Sequence, residues 1–196
     1  MTSGGRLLPA ALVAGALALS ACASAPRGTT TSPPRPLAPP AAAGEQAVSQ
    51  VVRAGADSRE LTLSCVVSVK DGVMSVVGLN TIGVRLFTMT YDGTQVRVEK
   101  SSGIPDAITP DRLLADLQLV YWPMPQLRDT LLPAGFEVSE PAPGTRKLRY
   151  RGRLVAEVHY ANAGSSPDGR VDPWNGRAWL VSLEFGYSLQ IDSQAL

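Results

Sequence analysis

The fold is decided near the end of the chain, by Trp179-Leu180-Val181-Ser182-Leu183-Glu184-Phe185-Gly186-Tyr187-Ser188-Leu189-Gln190-Ile191. Apolar side chains recur at every second position, the pattern of a β-strand with one face on a core. This apolar set consists of Trp179, Val181, Leu183, Phe185, Tyr187, Leu189 and Ile191. The run is much longer than the usual strand of about five or six residues, and Gly186 offers a place to bend. We therefore predict one long, bent strand in a strongly curved sheet.

The same alternation appears from Arg59 onward, where one face carries Leu61, Leu63, Cys65, Val67 and Val69. Asp71-Gly72 and Asp92-Gly93 are residue pairs that close tight hairpins. These signals predict an antiparallel meander in which consecutive strands pair. Further strands are predicted at Val73–Leu79, Val84–Tyr91, Gln95–Lys100, Phe136–Ser139, Lys147–Tyr150 and Leu154–Tyr160, with a polar loop at Asn162–Gly176.

The period changes to that of a helix in the middle of the chain. Thr109 is suited to the N-cap and Pro110 to the first helical position. One helical face then carries Leu113, Leu114, Leu117, Val120 and Tyr121, and Pro123 and Pro125 end the helix. A shorter helix follows, with Met124, Leu127 and Leu131 on one face. The predicted fold is α+β: a strongly curved antiparallel sheet, an incomplete barrel, whose concave face is covered by the central helical insert.

The N-terminus has the organisation of a secretory signal peptide. Arg6 precedes an apolar run from Leu7 to Leu19, and the small residues Ser20 and Ala21 follow. Cys22 comes directly after them, and this arrangement resembles a bacterial lipobox. The resemblance implies cleavage before Cys22, a diacylglyceryl thioether and an amide-linked acyl chain. Ala23, rather than Asp, then implies the outer membrane, with the protein facing the periplasm. A plain secretory signal with a chance cysteine and a short membrane helix are the alternatives.

Three segments follow from this organisation. We expect residues 1–21 to be the signal peptide, and residues 22–44 to comprise the cysteine that the resemblance implies to be lipidated and an extended, flexible proline-rich linker. Residues 45–196 form a single domain. The chain carries 18 basic and 17 acidic residues, and this balance provides no electrostatic surface for nucleic acid. We expect a monomer held on the membrane by its acyl chains.

Two motifs carry a further resemblance. Gly78-Leu79-Asn80-Thr81-Ile82-Gly83, and Leu113-Leu114-Ala115-Asp116-Leu117-Gln118-Leu119 followed by Trp122-Pro123, resemble an uncharacterised family of small proteobacterial outer-membrane lipoproteins. Members of that family are often encoded beside aryl-polyene or fatty-acid-like biosynthesis genes. The order of elements is similar to the LolA and LolB lipoprotein carriers. This likeness implies binding of an acyl chain or a lipoprotein, a soluble periplasmic donor protein, and a membrane-contacting apolar loop, for which Ile82 is the candidate.

No constellation for covalent chemistry emerges from the sequence. His159 is the only histidine and lies among charged strand residues, while Cys65 is interpreted as a small buried apolar residue, with a reactive thiol as the alternative. No nucleotide-binding glycine pattern, nucleophile elbow or metal-ligand cluster is present in the sequence. We therefore expect neither enzymatic activity nor a cofactor or metal.

The remaining feature is apolar surface. The candidates to line a lipid pocket between sheet and helices are Phe87, Met89, Tyr91, Leu113, Leu117, Tyr121, Trp179, Val181, Leu183, Phe185 and Tyr187. Met and aromatic side chains suit a pocket for flexible acyl chains. The same residues would also serve as an ordinary core. The first hypothesis is an anchored carrier that binds or transfers acyl chains. The second is a structural or interaction lipoprotein with a solid core that recruits an envelope or biosynthetic assembly.

Overall fold

The computed structural model describes residues 1, 31–56, 58–100, 109–161, 164–165 and 171–196, with the backbone alone at 164, 165 and 171. The compact unit of interest spans Thr31–Leu196. The predicted signal peptide and Cys22 lie outside the described residues. Among the described residues no helix is both long enough and apolar enough to cross a membrane.

Ten strands form one open antiparallel sheet, in the order β5-β4-β3-β2-β1-β12-β11-β8-β7-β6. In this sheet β1 and β12 join two five-stranded halves. A separate two-stranded pair consists of β9 (Gly164–Ser165) and β10 (Val171–Asp172). The strands of the first half are β1 (Gln46–Ala56), β2 (Arg59–Lys70), β3 (Val73–Leu79), β4 (Arg85–Tyr91) and β5 (Val96–Lys100). Those of the second half are β6 (Phe136–Ala142), β7 (Thr145–Tyr150), β8 (Arg153–Ala161), β11 (Gly176–Ser182) and β12 (Tyr187–Ala195).

The predicted fold class is confirmed: the sheet is curved, antiparallel and not closed, and a helical insert separates its two halves. The insert consists of α1 (Pro110–Tyr121), α2 (Met124–Leu131) and a 3-10 turn at Leu132–Ala134. The predicted hairpin at Asp71-Gly72 is also confirmed, and both residues have positive φ, as this tight turn requires.

The final strand differs from the prediction. Leu183–Gly186 is a turn, so the long alternating stretch is a hairpin of β11 and β12. Gly186 adopts φ 68°, a conformation that glycine tolerates best, and it closes the turn instead of bending a strand. The turn also changes which residues of β11 face the core. The prediction placed the odd-numbered residues there, but the buried residues are Ala178, Leu180 and Ser182. Trp179 and Val181 consequently lie on the opposite, convex face.

The turns of an antiparallel sheet alternate between its two ends. The β1–β2, β3–β4, β7–β8 and β11–β12 turns all lie at one end, which we call the upper end. The β2–β3 and β4–β5 turns lie at the lower end. Helix α1 crosses the concave face, with Leu117 near the upper half of β12 and β1 and Tyr121 further down. This arrangement leaves the N-terminal half of α1 over the upper part of the concave face.

Helix α1 is covered on a second side as well as on the side that faces the sheet. All eight residues from Leu114 to Tyr121 are buried, including the polar Asp116 and Gln118. The second cover comes from residues 32–44, which we call the strap. Gln118 exchanges two hydrogen bonds with the backbone of Ala38, and Trp122 Nε1 donates to the carbonyl of Pro39. The structure therefore differs from the expected linker, because packing begins at residue 32 and not near Glu45.

A proline-rich segment can pack in this way because its backbone needs few hydrogen-bond partners. Ala38 and Pro40 are buried, and a 3-10 turn at Pro40–Ala43 leads into β1. At the upper end, Ser32 donates to Glu184 in the β11–β12 turn from both its backbone N and its hydroxyl. Arg35 forms an ion pair with buried Asp116. The strap thus runs from the upper end of the sheet along α1.

Two side chains hold the lower end of α1: Tyr160 Oη donates to the carbonyl of Val120, and Arg146 makes the larger set of contacts. Arg146 Nη1 donates to the carbonyl oxygens of Leu119, Val120 and Trp122 at 3.0, 3.1 and 2.8 Å. These carbonyls lie in the last turn of a helix, where they lack intrahelical partners. The guanidinium of Arg146 also pairs with Glu140 through Nε, at 2.9 Å. A cation at a helix C-terminus additionally complements the helix dipole.

Candidate functional site

An apolar cavity of about 50 Å³ lies between the N-terminal half of α1 and the concave face of the sheet. The central strands contribute three rows of side chains to its wall, each row set by the register of β2, β1 and β12. From the upper end downward, the rows are Leu61–Ala54–Leu189, Leu63–Val52–Ile191 and Cys65–Gln50–Ser193, and all of these residues except Ser193 line the cavity. The helix contributes Leu113 and Leu117, and the outer strands contribute Val76, Leu86 and Phe87.

The cavity has an accessible side and a closed side. Ala54, Leu61, Leu63, Leu86 and Leu113 are only partly buried. Because Ala54 and Leu61 form the row nearest the β1–β2 turn, the accessible side is at the upper end. Gln50, Cys65 and Val76, which lie lower, are almost fully buried. Ala54 and Gln50 are four positions apart, a distance of about 13 Å along the strand.

A polar network occupies the closed side. Gln50 Nε2 donates to Tyr121 Oη at 2.8 Å, and Tyr121 Oη is also 2.7 Å from Ser193 Oγ. Burial raises the pKa of Tyr121, so its hydroxyl remains protonated and available as a hydrogen-bond donor. The other end of the Gln50 amide is unsatisfied: no group among the described residues donates to Oε1.

Cys65 lies directly opposite Gln50 in the neighbouring strand. Burial raises the pKa of its thiol to about 12, so the sulfur is a neutral thiol at physiological pH. The interpretation of Cys65 as a small buried residue is therefore consistent with its surroundings, and the thiol faces the cavity.

Aromatic side chains fill the concave face below this network. The ring of Trp174 stacks on Tyr121 with centroids 4.4 Å apart and lies 6.1 Å from that of Trp122. Trp174 precedes β11, in the segment predicted as a polar loop, and it is buried. Among the described residues, the lower part of the space between sheet and helix is thus filled by aromatic rings, and the cavity lies in the upper part.

The predicted pocket residues occupy several different environments. Phe87, Leu113 and Leu117 line the cavity, and Tyr121 lies behind Gln50. Met89 and Tyr91 are buried in β4 below Phe87, and Tyr187 is buried with its hydroxyl donating to Asp116. The guanidinium of Arg112 lies over the ring of Phe185, with its Cζ atom 3.5 Å from the ring centroid. Trp179 and Val181 lie on the convex face, and Leu183 is exposed in the β11–β12 turn.

Sequence reasoning missed the central contribution of β1. Its residues Gln50, Val52 and Ala54 form the middle of all three rows, but no strand was predicted before Arg59. The alternation of Val48, Gln50, Val52 and Ala54 was the available signal. A glutamine and an alanine at inward positions made that signal weak, because neither is characteristic of a buried strand face.

Exposed apolar side chains are concentrated at the upper end. In the part of the chain from 31 to 196 that the structure describes, Ile82 is 81% exposed, Leu132 63%, Val84 53% and Leu183 51%. The loop that presents Ile82 is held by Asn80 Oδ1, which accepts hydrogen bonds from the backbone of Ile82 and Val84. Gly83 in this loop has φ 82°. Only Leu196, at the C-terminus, is comparably exposed elsewhere in this range.

The described residues contain no group of three or more His, Cys, Asp or Glu side chains placed to hold a metal ion. His159 is exposed on β8, and its Nε2 lies 3.6 Å from Glu157 Oε2. The histidine is therefore a surface residue beside Glu157 and is remote in sequence and register from the cavity rows.

Comparison with known proteins gives the family. A family model described as a protein of unknown function (DUF3261) matches residues 47–195, and the chain belongs to this family. The matched range runs from β1 to β12 and includes both helices, and it begins after the end of the strap. The resemblance of the motifs to an uncharacterised family is confirmed to this extent. No curated protein matches the chain.

Two solved structures are similar in fold. One is an outer membrane lipoprotein-sorting protein domain from Vibrio parahaemolyticus, at 10% identity and a TM-score of 0.41, covering 78% of this chain and 86% of that chain. The other is a DUF1329 family protein from Desulfovibrio piger, at 8% identity and a TM-score of 0.40, covering 76% of this chain and 83% of that chain.

Proposed function

We propose that this protein is a membrane-anchored lipoprotein that binds an acyl chain in the cavity between α1 and the sheet, without any covalent step. The observation that carries the proposal is the position of the cavity opening. Its partly exposed rim residues, Ala54, Leu61 and Leu113 among them, lie at the same end of the sheet as the exposed Ile82, Val84 and Leu183. An apolar ligand could therefore pass between a bilayer and the cavity at this end, where the apolar side chains stand beside the exposed Arg59, Glu60 and Arg85.

The anchor supports the same orientation. In the proposal Cys22 carries the acyl chains, and the strap begins at Ser32, which is bound to Glu184 at the upper end. Only residues 23–31 then separate the lipid from the folded unit, a span of at most about 32 Å. With such a short connection, the upper end of the sheet faces the membrane, and Ile82 contacts it. We place the protein on the periplasmic face of the outer membrane.

Binding requires the cavity to enlarge. A volume of about 50 Å³ is smaller than the cavity of about 150 Å³ that accommodates benzene in another protein. The wall that can move is α1, since β1, β2 and β12 are central strands of the sheet. Displacing the N-terminal half of α1 would add volume while Arg146 holds its C-terminal end. Transfer of acyl CH₂ groups from water would contribute about 0.8 kcal/mol each.

The proposal is tested by native mass spectrometry of the full chain carrying Cys22→Ser, purified from a bacterial host, followed by extraction of bound lipid. We expect a stoichiometric adduct in the mass range of fatty acids or phospholipids, and uptake of a fluorescent fatty acid by the delipidated protein. Leu63→Trp, which fills the rim, should abolish uptake. The matched control is Val66→Trp, because Val66 is on the convex face of the same strand and partly exposed.

The small cavity also favours a second candidate, an interaction lipoprotein with a solid core that recruits an envelope assembly. A clean apo mass, together with no fatty-acid uptake by the unsubstituted chain, would overturn the carrier proposal in favour of this one. The exposed Ile82 and Leu132 would then be the first residues to test as a protein-binding surface.

A further inference from the structure

The deepest polar group of the cavity has an unused acceptor. Gln50 is 1% exposed and lies in the third row of the cavity wall, and its Oε1 has no hydrogen-bond partner among the described residues. The opposite end of the same amide is fixed by Tyr121, which is fixed in turn by Ser193. The side chain is therefore held in place by its neighbours, and with Nε2 towards Tyr121 its Oε1 is left over as an acceptor in an otherwise apolar space.

An unsatisfied buried acceptor is costly, and proteins normally pair such groups with a protein donor or an ordered water. Cys65 lies directly across from Gln50 in the same row, but its thiol does not donate a hydrogen bond to Gln50 Oε1. The remaining wall residues of the upper two rows are alanine, leucine, valine and isoleucine, which cannot donate. A donor at this position must come from what occupies the cavity.

From this we infer that the cavity is built for an apolar chain that carries a neutral hydrogen-bond donor, a hydroxyl group, at the end that enters first. The inference rests on the proposed function, and it specifies the class of ligand. The hydroxyl would donate to Gln50 Oε1, while the rest of the chain would lie against the rows Leu63–Val52–Ile191 and Leu61–Ala54–Leu189. The charged or bulky end of the ligand would remain at the upper end.

The chemistry of the site excludes an ionised carboxylate in the same position. A carboxylate only accepts hydrogen bonds, and it would face another acceptor in Oε1. Burying an unpaired charge there is also much more costly than burying a hydroxyl. The described cavity wall provides no cation to pair with a carboxylate. A fatty acid should therefore enter with its methyl end first, and a hydroxyl at that end would complete the pairing of Gln50.

The test compares matched ligands on the full chain carrying Cys22→Ser. Octanoic, dodecanoic and hexadecanoic acids are measured against their ω-hydroxy counterparts by displacement of a fluorescent fatty acid. In water the hydroxyl makes a ligand less hydrophobic, so a non-specific apolar pocket would prefer the plain acid. We expect the opposite for at least one chain length, with the ω-hydroxy acid bound about tenfold more tightly.

Gln50→Leu removes the acceptor and nearly preserves side-chain volume. In this variant the preference for the hydroxyl should disappear, while the plain acid binds at least as well as to the unsubstituted chain. Gln50→Met provides a second apolar replacement if the leucine variant does not fold. Equal or weaker binding of every ω-hydroxy acid to the unsubstituted chain would overturn the inference, and so would a preference that persists in the variants. If no acid binds at all, the proposed function itself fails.

Discussion

The side chain of Gln118 is paired with the backbone of Ala38 through two hydrogen bonds, from Ala38 N to Oε1 at 2.7 Å and from Nε2 to Ala38 O at 2.8 Å. The two residues are 80 positions apart in the chain, and both are buried. The side-chain amide of Gln118 thus pairs with both the backbone N–H and the carbonyl of Ala38, as a neighbouring β-strand would. This contact is the most specific link between the proline-rich segment and α1.

We predict that Gln118→Leu lowers the free energy of unfolding by about 2 kcal/mol, because both backbone groups of Ala38 lose their partner in a buried environment. Urea unfolding followed by circular dichroism measures the change. Gln194→Leu is the control, since Gln194 is exposed near the end of β12 and should shift stability by less than about 0.5 kcal/mol. Equal effects of the two substitutions would show that the strap contributes little to stability.

Arg146→Met should be more destabilising, by about 3 kcal/mol, because three carbonyl groups at the end of α1 then lose a charged donor. Arg149→Met serves as the control. Arg149 lies on the other face of the same strand and donates to the exposed carbonyl of Gly152. Thermal or chemical denaturation measures the free energy of unfolding of both variants. If Arg146→Met lowers it no more than Arg149→Met does, Arg146 does not stabilise the end of α1 in this way.

Gly78→Ala should destabilise the sheet by about 2 to 3 kcal/mol through overpacking. A Cβ atom at Gly78 would lie 2.1 Å from Cε1 of Phe87, its register partner in β4. Substituting Phe87→Leu in the same chain should recover part of the loss, which a double-mutant cycle quantifies. Gly55→Ala is the matched control, because the added Cβ meets only Ser188 Oγ, at 3.4 Å.

The thiol of Cys65 should report the opening of the cavity. In the Cys22→Ser chain it is the sole cysteine, and its pKa of about 12 leaves little thiolate at pH 8. We expect its alkylation to be at least about a hundredfold slower than that of an exposed thiol. The reference thiol comes from Val66→Cys in a chain that also carries Cys65→Ser. A bound acyl ligand should slow the alkylation of Cys65 further, and an unchanged rate at saturation would place the ligand elsewhere.

The attachment of the strap at Glu184 should depend on pH. Burial raises the pKa of this carboxyl group, but hydrogen bonds from Ser32 and Arg153 outweigh that effect and lower the pKa below its ordinary value. A lowered folded-state pKa means that the stabilisation is complete above about pH 4.3 and is lost as the pH falls through the folded-state value. The amide resonance of Ser32 should titrate with a midpoint below that pH. In Glu184→Gln the transition should be absent; a midpoint above pH 4.3 would contradict the lowered pKa.

Much of the fold could be predicted from local patterns. The alternation from Leu61 to Val69 and the pair Asp71-Gly72 define β2, its turn and its inward face, because strand periodicity and turn chemistry are properties of neighbouring residues. The prolines around α1 and α2 bound the helical insert for the same reason. In the motif at residues 78–83, Gly78 makes room for Phe87 and Asn80 holds the loop of Ile82.

Other features depend on contacts that are distant in the chain. In the turn of Leu183–Gly186 apolar residues continue the alternation of β11 and β12, so the hairpin appears in the sequence as one strand. The strap has the composition of a linker, and its packing depends on Gln118, Asp116 and Glu184, far away in sequence. The role of Gln50 likewise appears only when β1, β2 and α1 are placed together.

The pairing of β1 with β12 also determines when the fold can be completed. Val48 lies opposite Ala195, so this pairing joins residues that are separated by almost the whole length of the folded unit. The first five strands can form a meander early, but β1 lacks one neighbour until the last residues of the chain are available. Contacts of such long sequence separation slow folding, typically to milliseconds or seconds. If the proposed export delivers the N-terminal half first, the exposed edge of β1 is the surface that most needs protection from aggregation.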